Sequence, residues 1–127
     1  MMFRFSQRSY NNLAGVRPEL VAVATRALAL SSVDFGVSEG LRTIERQRQL
    51  VASGASQTLR SRHLNGHAID LVAYVDGGIR WDWALYDQLA KAMKQAAAEL
   101  RVPLEWGGDW KSFKDGPHFQ LPWEKYP

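Results

Sequence analysis

Apolar positions along the chain fall into a few separate patterns, each with its own period. After a polar start, Pro18 stands where a helix begins, and Glu19 to Leu30 places Leu20, Val23, Ala24, Ala27 and Leu30 at helical spacing. Val33 to Val37 alternates around Phe35 and predicts a short strand, which Gly40 ends before Thr43 caps a helix over Ile44 to Ser53, with Gly54 as its stop. Ala55 to Gly66 is irregular and polar, and Ala68 to Val75 is a β-rich run interrupted by a single acid, Asp70. A turn at Asp76-Gly77-Gly78 follows, and Asp82 caps the longest predicted helix, Trp83 to about Arg101, with its stripe of Leu85, Leu89, Met93, Ala96, Ala97 and Leu100. Strand-like pieces around Leu104 to Trp106 and His118 to Leu121 close the chain. This order predicts an α+β fold in which a small, mostly antiparallel sheet is flanked by about three helices.

Composition narrows the options. At 127 residues, with no repeat and no linker-like tract, residues 1–127 read as a single domain. Apolar runs such as Leu20 to Ala24 are far too short to span a bilayer, and Met1 to Tyr10 lacks the apolar run of a secretory signal, so the expectation is a chain made in the cytoplasm with no transmembrane segment. Cysteine is absent, which excludes disulfides, thiolate metal sites and cysteine nucleophiles. A net charge of +3 favours an anionic partner such as nucleic acid, lipid head groups or a wall polymer. The cluster Arg42, Arg46, Arg48, Arg60 and Arg62 concentrates that charge ahead of the most informative segment, either as a solvated face or as an attractor of anionic polymers.

That segment is Ser61-Arg62-His63-Leu64-Asn65-Gly66-His67-Ala68-Ile69-Asp70. A carboxylate inside an apolar strand must find a cation or hydrogen-bond donors, because its desolvation costs several kcal/mol. His63, across the Gly66 turn, can supply a nitrogen beside Asp70, and such a mixed donor set suits zinc. Alternation along the strand turns residue 67 away from residue 70, so His118 is the third expected ligand. The pair His63 and His67 does not make a helical zinc motif, since Leu64 stands where that motif needs Glu and Gly66 disfavours the helix. Asp115, three residues before His118 across Gly116-Pro117, can curl back as a general base, and Arg42 or the metal itself can stabilise an oxyanion.

The pattern Ser61-x-His63-x-x-Gly66-x-Ala68-x-Asp70, followed by Asp115-x-x-His118, resembles the signature of zinc peptidases that cut peptidoglycan peptides. That group holds D-alanyl-D-alanine peptidases, hedgehog-like domains and phage L-alanyl-D-glutamate endolysins. Gly40-Leu41-Arg42-Thr43 with Gln47 resembles the group's upstream arginine motif, and Glu105-Trp106-Gly107-Gly108-Asp109-Trp110 resembles the endolysin branch. The resemblance implies one Zn2+ ion held by His63, Asp70 and His118, with Asp115 as catalytic base. It also makes Arg42 the binder or polariser of the substrate carbonyl and Ser61 a supporting hydrogen-bond donor. Many relatives carry Glu at the position of Asp115, so the reach to water is shorter here. Trp106 and Trp110 are the tryptophans expected to touch substrate, while Glu105 and Asp109 either hold a regulatory cation, shape the cleft or sit in a solvated loop.

The expected activity is hydrolysis of the L-alanyl-D-glutamate bond in peptidoglycan stem peptides during phage-driven lysis. The chain would act as a monomer in the periplasm after release through a holin-type pore. D-alanyl-D-alanine carboxypeptidase chemistry is the alternative within the class. Outside it stand a zinc-bearing wall-binding module without turnover and a metal-dependent nuclease using His63, Asn65 and His67. The pattern favours neither of these, and no nucleic-acid partner is expected.

Overall fold

A computed structural model of the protein describes residues 3–56, 58 and 60–127; Gln57 and Leu59, within the stretch read as irregular, and Met1 and Met2 lie outside the described residues. The helices are α1 (Gln7–Leu13), α2 (Pro18–Leu30), α3 (Ile44–Ala52) and α4 (Trp83–Leu100). The strands are β1 (Asp34–Glu39), β2 (Ala68–Val75), β3 (Gly78–Arg80), β4 (Glu105–Trp106) and β5 (His118–Gln120). They form an antiparallel sheet in the order β1-β2-β5-β4, with β3 paired to the far end of β2. The expected α+β architecture holds, with α1 and β3 as additions.

Alternation explains why one sheet serves two purposes. Ile69, Leu71 and Ala73 of β2, Phe119 of β5 and Trp106 of β4 join the core with Leu20, Val23, Ala24 and Ala27 of α2 and Leu89, Met93 and Ala96 of α4. Side chains one residue out of step share the other face: Asp70 on β2, His118 and Gln120 on β5, and Glu105 on β4. A period-2 ladder thus separates an apolar layer, packed under two long helices, from a polar one.

The helix ends follow local chemistry. The Thr43 side chain accepts from the Arg46 amide at 3.1 Å, and Gly54 takes the left-handed conformation just past α3, as the sequence predicts. Asp82 occupies the N-cap position of α4 without capping it, because its carboxylate turns to Arg80 instead. The seven-residue α1 carries too few apolar positions to reveal itself by period. Two of its polar side chains nevertheless anchor the neighbouring strand. Ser9 Oγ accepts from the Val37 amide at 3.0 Å, and Asn12 Nδ2 donates to the Val37 carbonyl at 2.8 Å.

Those bonds secure β1 where its register slips. Val37 pairs with Leu71 and Glu39 with Asp70, so Ser38 is an extra residue in a β-bulge. The bulge brings Glu39 rather than Ser38 opposite Asp70 and re-aims the strand end toward the polar face.

Candidate metal and catalytic site

Asp70 and His118 are direct partners in the β2–β5 ladder, and His118 Nδ1 lies 3.2 Å from Asp70 Oδ1. His63 arrives from a single 3-10 turn, Arg62–Asn65, which Ser61 opens by accepting from the His63 amide at 3.2 Å and which Gly66 closes in the left-handed region at φ 73°. A side chain at Gly66 would also collide with the Gly15 carbonyl, so two requirements converge on glycine. The turn places His63 Nε2 3.3 Å from the same Asp70 oxygen.

Three ligand atoms, one each from His63, Asp70 and His118, lie within 4.8 Å of one another. His63 Nδ1 donates to the Gly40 carbonyl at 2.8 Å, which leaves Nε2 bare; that atom is buried without a hydrogen-bond partner. A buried, unpartnered imidazole nitrogen facing a carboxylate and a second imidazole is the donor arrangement a divalent cation satisfies, and the mixed nitrogen and oxygen set fits zinc geometry. The residues present therefore fit the metal that the sequence pattern implies.

Electrostatics agree with the geometry. Burial opposes ionisation of Asp70, but the neighbouring His118 and His63 rings outweigh it and hold the carboxyl well below its ordinary range. Burial likewise disfavours a charged His118, yet the Asp70 hydrogen bond and charge raise its pKa. Asp115 reaches solvent at the surface of the cleft while protein atoms crowd its carboxyl, and this desolvation, followed by the charge of Asp70, raises its pKa. Two nearby carboxyl groups thus have their pKa values pushed apart, one down and one up, the pattern that separates a ligand or stabiliser from a proton carrier.

These groups line one cleft of about 890 Å³ together with Arg42, Ser61 and Trp110. Arg42 is held by both oxygens of Glu39, at 2.7 Å each, and donates to Gln47 Oε1 at 2.6 Å, with its other terminal nitrogen 3.8 Å from Asp70 Oδ2. The pairing with Glu39 is therefore a fixed, largely buried clamp rather than a loose surface contact. Ser61 lines the same cleft, accepts from the His63 amide and has its hydroxyl oxygen 3.4 Å from Arg42 Nη1. The Trp110 ring centre lies 5.2 Å from that of His118.

Trp106 corrects an expectation. It is only 8% exposed, stacks on Phe119, donates its indole N–H to the Gly116 carbonyl at 2.7 Å and is not part of the cleft wall. The period-2 ladder sends residue 106 to the core face and leaves Glu105 on the cleft face. Asp109 pairs with exposed Lys94 at 2.7 Å, away from the metal-ligand group. His67 stays outside that group as alternation predicts, its ring near Tyr126. The arginine cluster splits: Arg42 and Arg62 turn inward, Arg62 donating to the Leu121 and Tyr126 carbonyls and lying against Trp123, whereas Arg46, Arg48 and Arg60 are exposed.

Sequence reasoning missed Gln120, whose Oε1 lies 2.7 Å from His118 Nε2, and the Gly40 carbonyl that orients His63. The first had a signal in the sequence, since residues two apart on a strand share a face. A backbone carbonyl leaves none.

Comparison with known proteins follows the same lines. A family model described as phage L-alanyl-D-glutamate peptidase matches residues 1–121. The L-alanyl-D-glutamate peptidase of Escherichia phage T5 is 40% identical over 119 residues, covering 91% of this chain and 87% of its own. That of Listeria phage A118 is 37% identical over 125 residues, covering 96% of this chain and 43% of its own. The crystal structure of the Serratia marcescens L-Ala D-Glu endopeptidase ChiX superposes with a TM-score of 0.93 at 55% identity, covering 99% of this chain and 95% of that one. With the motif, the sheet that presents it and these relatives in agreement, the chain belongs to the phage L-alanyl-D-glutamate peptidase family.

Proposed function

We propose that this protein is a zinc-dependent endopeptidase that hydrolyses the L-alanyl-D-glutamate bond of peptidoglycan stem peptides. The observation that carries the reading is the buried, unpartnered His63 Nε2 converging with His118 on Asp70, in the cleft that also holds Asp115 and Arg42. His63, Asp70 and His118 hold the zinc. Bound there, zinc supplies Lewis acidity that acidifies a water molecule and polarises a carbonyl.

The chain's own residues do the rest. Asp115, in the same cleft as the three ligands, accepts the proton of the attacking water and returns it to the amine of D-glutamate as the peptide bond breaks. Arg42, held in place by Glu39 and Gln47, presents fixed positive charge to the carbonyl oxygen as negative charge develops there. Trp110 supplies an aromatic wall beside His118.

All of these groups come from one chain, which supports reading residues 1–127 as a single catalytic domain acting as a monomer. No helix among the described residues is long and apolar enough to cross a membrane. In phage lysis, a holin-type pore would release the enzyme to periplasmic peptidoglycan.

Mass spectrometry of digested muropeptides tests the proposal. The expected products are a glycan ending its peptide at L-alanine and a released peptide beginning with D-glutamate, lost on chelation and restored by zinc. Release of free D-alanine would point to carboxypeptidase chemistry, and binding without any new amine would point to a wall-binding module.

A further inference from the structure

Glu105 and Gln120 are direct partners in the β4–β5 ladder, on the same sheet face as His118. Gln120, 6% exposed, donates from Nε2 to Glu105 Oε2 at 2.8 Å, and its Oε1 faces His118 Nε2 at 2.7 Å. An ionised carboxylate only accepts, so the nitrogen of the Gln120 amide must face Glu105 and its oxygen must face His118. That oxygen in turn only accepts, so it favours a ring proton on His118 Nε2, in competition with the Asp70 carboxylate, which favours one on Nδ1. A neutral imidazole protonated at Nε2 has a bare Nδ1, and Nδ1 is the atom beside Asp70.

We propose that Glu105 is a positioning residue: acting through Gln120, it selects the His118 tautomer whose Nδ1 is free to ligate metal. The inference rests on the reading of His118 as a ligand. It gives Glu105 a role that requires no second cation. His63 reaches the opposite tautomer by a different device, the Gly40 carbonyl, so each histidine has an acceptor that leaves its site-facing nitrogen bare. Glutamine, unlike a carbonyl, can rotate its amide and offer N–H₂ to His118 instead. Glu105 is what removes that choice.

The test uses metal-free protein labelled with 15N-histidine, at a pH where the rings are neutral, and long-range 1H–15N spectra that report each tautomer. The wild-type chain should show His118 protonated at Nε2. Glu105→Leu should give a mixture of both tautomers and bind zinc about 10- to 100-fold more weakly, the usual effect of losing an outer partner of a metal ligand. In the double variant Glu105→Leu with Gln120→Glu, the carboxylate at 120 accepts from Nε2 directly, and the single tautomer and zinc affinity should return. That rescue separates positioning from general damage to the fold. A Glu105→Leu protein that keeps a pure Nε2–H tautomer and undiminished zinc affinity overturns the proposal, as does a double variant that is not rescued. A wild-type chain that takes up no zinc contradicts the metal reading instead, and the metal-free spectra still decide the role of Glu105.

Discussion

The carbonyl oxygen of Gly40 accepts from His63 Nδ1 at 2.8 Å, and the His63 carbonyl in turn accepts from the Arg42 amide at 2.9 Å. This reciprocal stitch fixes one metal-facing ring and the segment leading to the arginine of the cleft in a single local structure. Gly40 tolerates no side chain, because a Cβ there would run into the Asn12 carbonyl. Gly40→Ala should therefore weaken zinc binding and peptidase activity together, although residue 40 contributes no ligand atom. Zinc titration and turnover measured on the same preparation check this.

Replacing Asp115 by Asn removes the proton carrier while leaving the three ligands in place. The expected result is a loss of about 10²- to 10⁴-fold in kcat with zinc content unchanged, measured by muropeptide turnover and elemental analysis. In the wild-type enzyme, Asp115 works as base in its ionised form. In the metal-free chain its pKa is raised by burial and the Asp70 charge, so an NMR titration of the Asp115 carboxyl without metal should lie above the ordinary carboxylate range of about 4.

His118 has a raised pKa in the metal-free protein, so zinc competes with a proton up to a higher pH than at an ordinary imidazole. Calorimetric titrations in buffers of different ionisation enthalpy should show proton release on zinc binding and tighter binding as pH rises. The same pair sets a stability window without metal. The Asp70 contribution is present above its unfolded pKa of about 3.9 and is lost as pH falls further. The His118 contribution is present below an unfolded pKa of about 6.5 and is lost as pH rises through the higher folded value. Metal-free melting temperature should accordingly decline on both sides, and its decline on the alkaline side should disappear in His118→Gln.

Ser9→Ala tests the link between α1 and the bulge. It deprives the buried Val37 amide of its acceptor, which should cost about 1–3 kcal/mol in denaturant unfolding. It should also loosen the placement of Glu39 and Arg42, seen as a fall in activity larger than any change in zinc affinity.

Much of the site was legible in the sequence because it breaks a local rule. An acid amid Ile69, Leu71 and Val72 demands a partner, and the alternation that sets Asp70 apart from His67 also fixes which histidines can supply one. The long helices announced themselves through their apolar stripes. What stayed hidden has equally physical causes. Helix α1 and strand β3 are too short for a period to emerge, and the bulge at Ser38 depends on hydrogen bonds from α1 that no pattern within β1 reports. Trp106 could be core or cleft wall on composition alone, and only its register opposite Phe119 decides for the core. The acceptors behind the histidines are a backbone carbonyl and an amide of unmarked sequence context, so the candidate ligand set could be read while the nitrogen that each ring turns to the site could not.

The central claim is tested most directly by an anomalous difference map at the zinc edge from crystals of the zinc-loaded protein. The account predicts one strong peak at about 2.0–2.2 Å from His63 Nε2, His118 Nδ1 and an oxygen of Asp70, with a remaining position open to the cleft. A zinc-saturated crystal whose peak lies elsewhere, or whose two imidazoles turn away from Asp70, would contradict it.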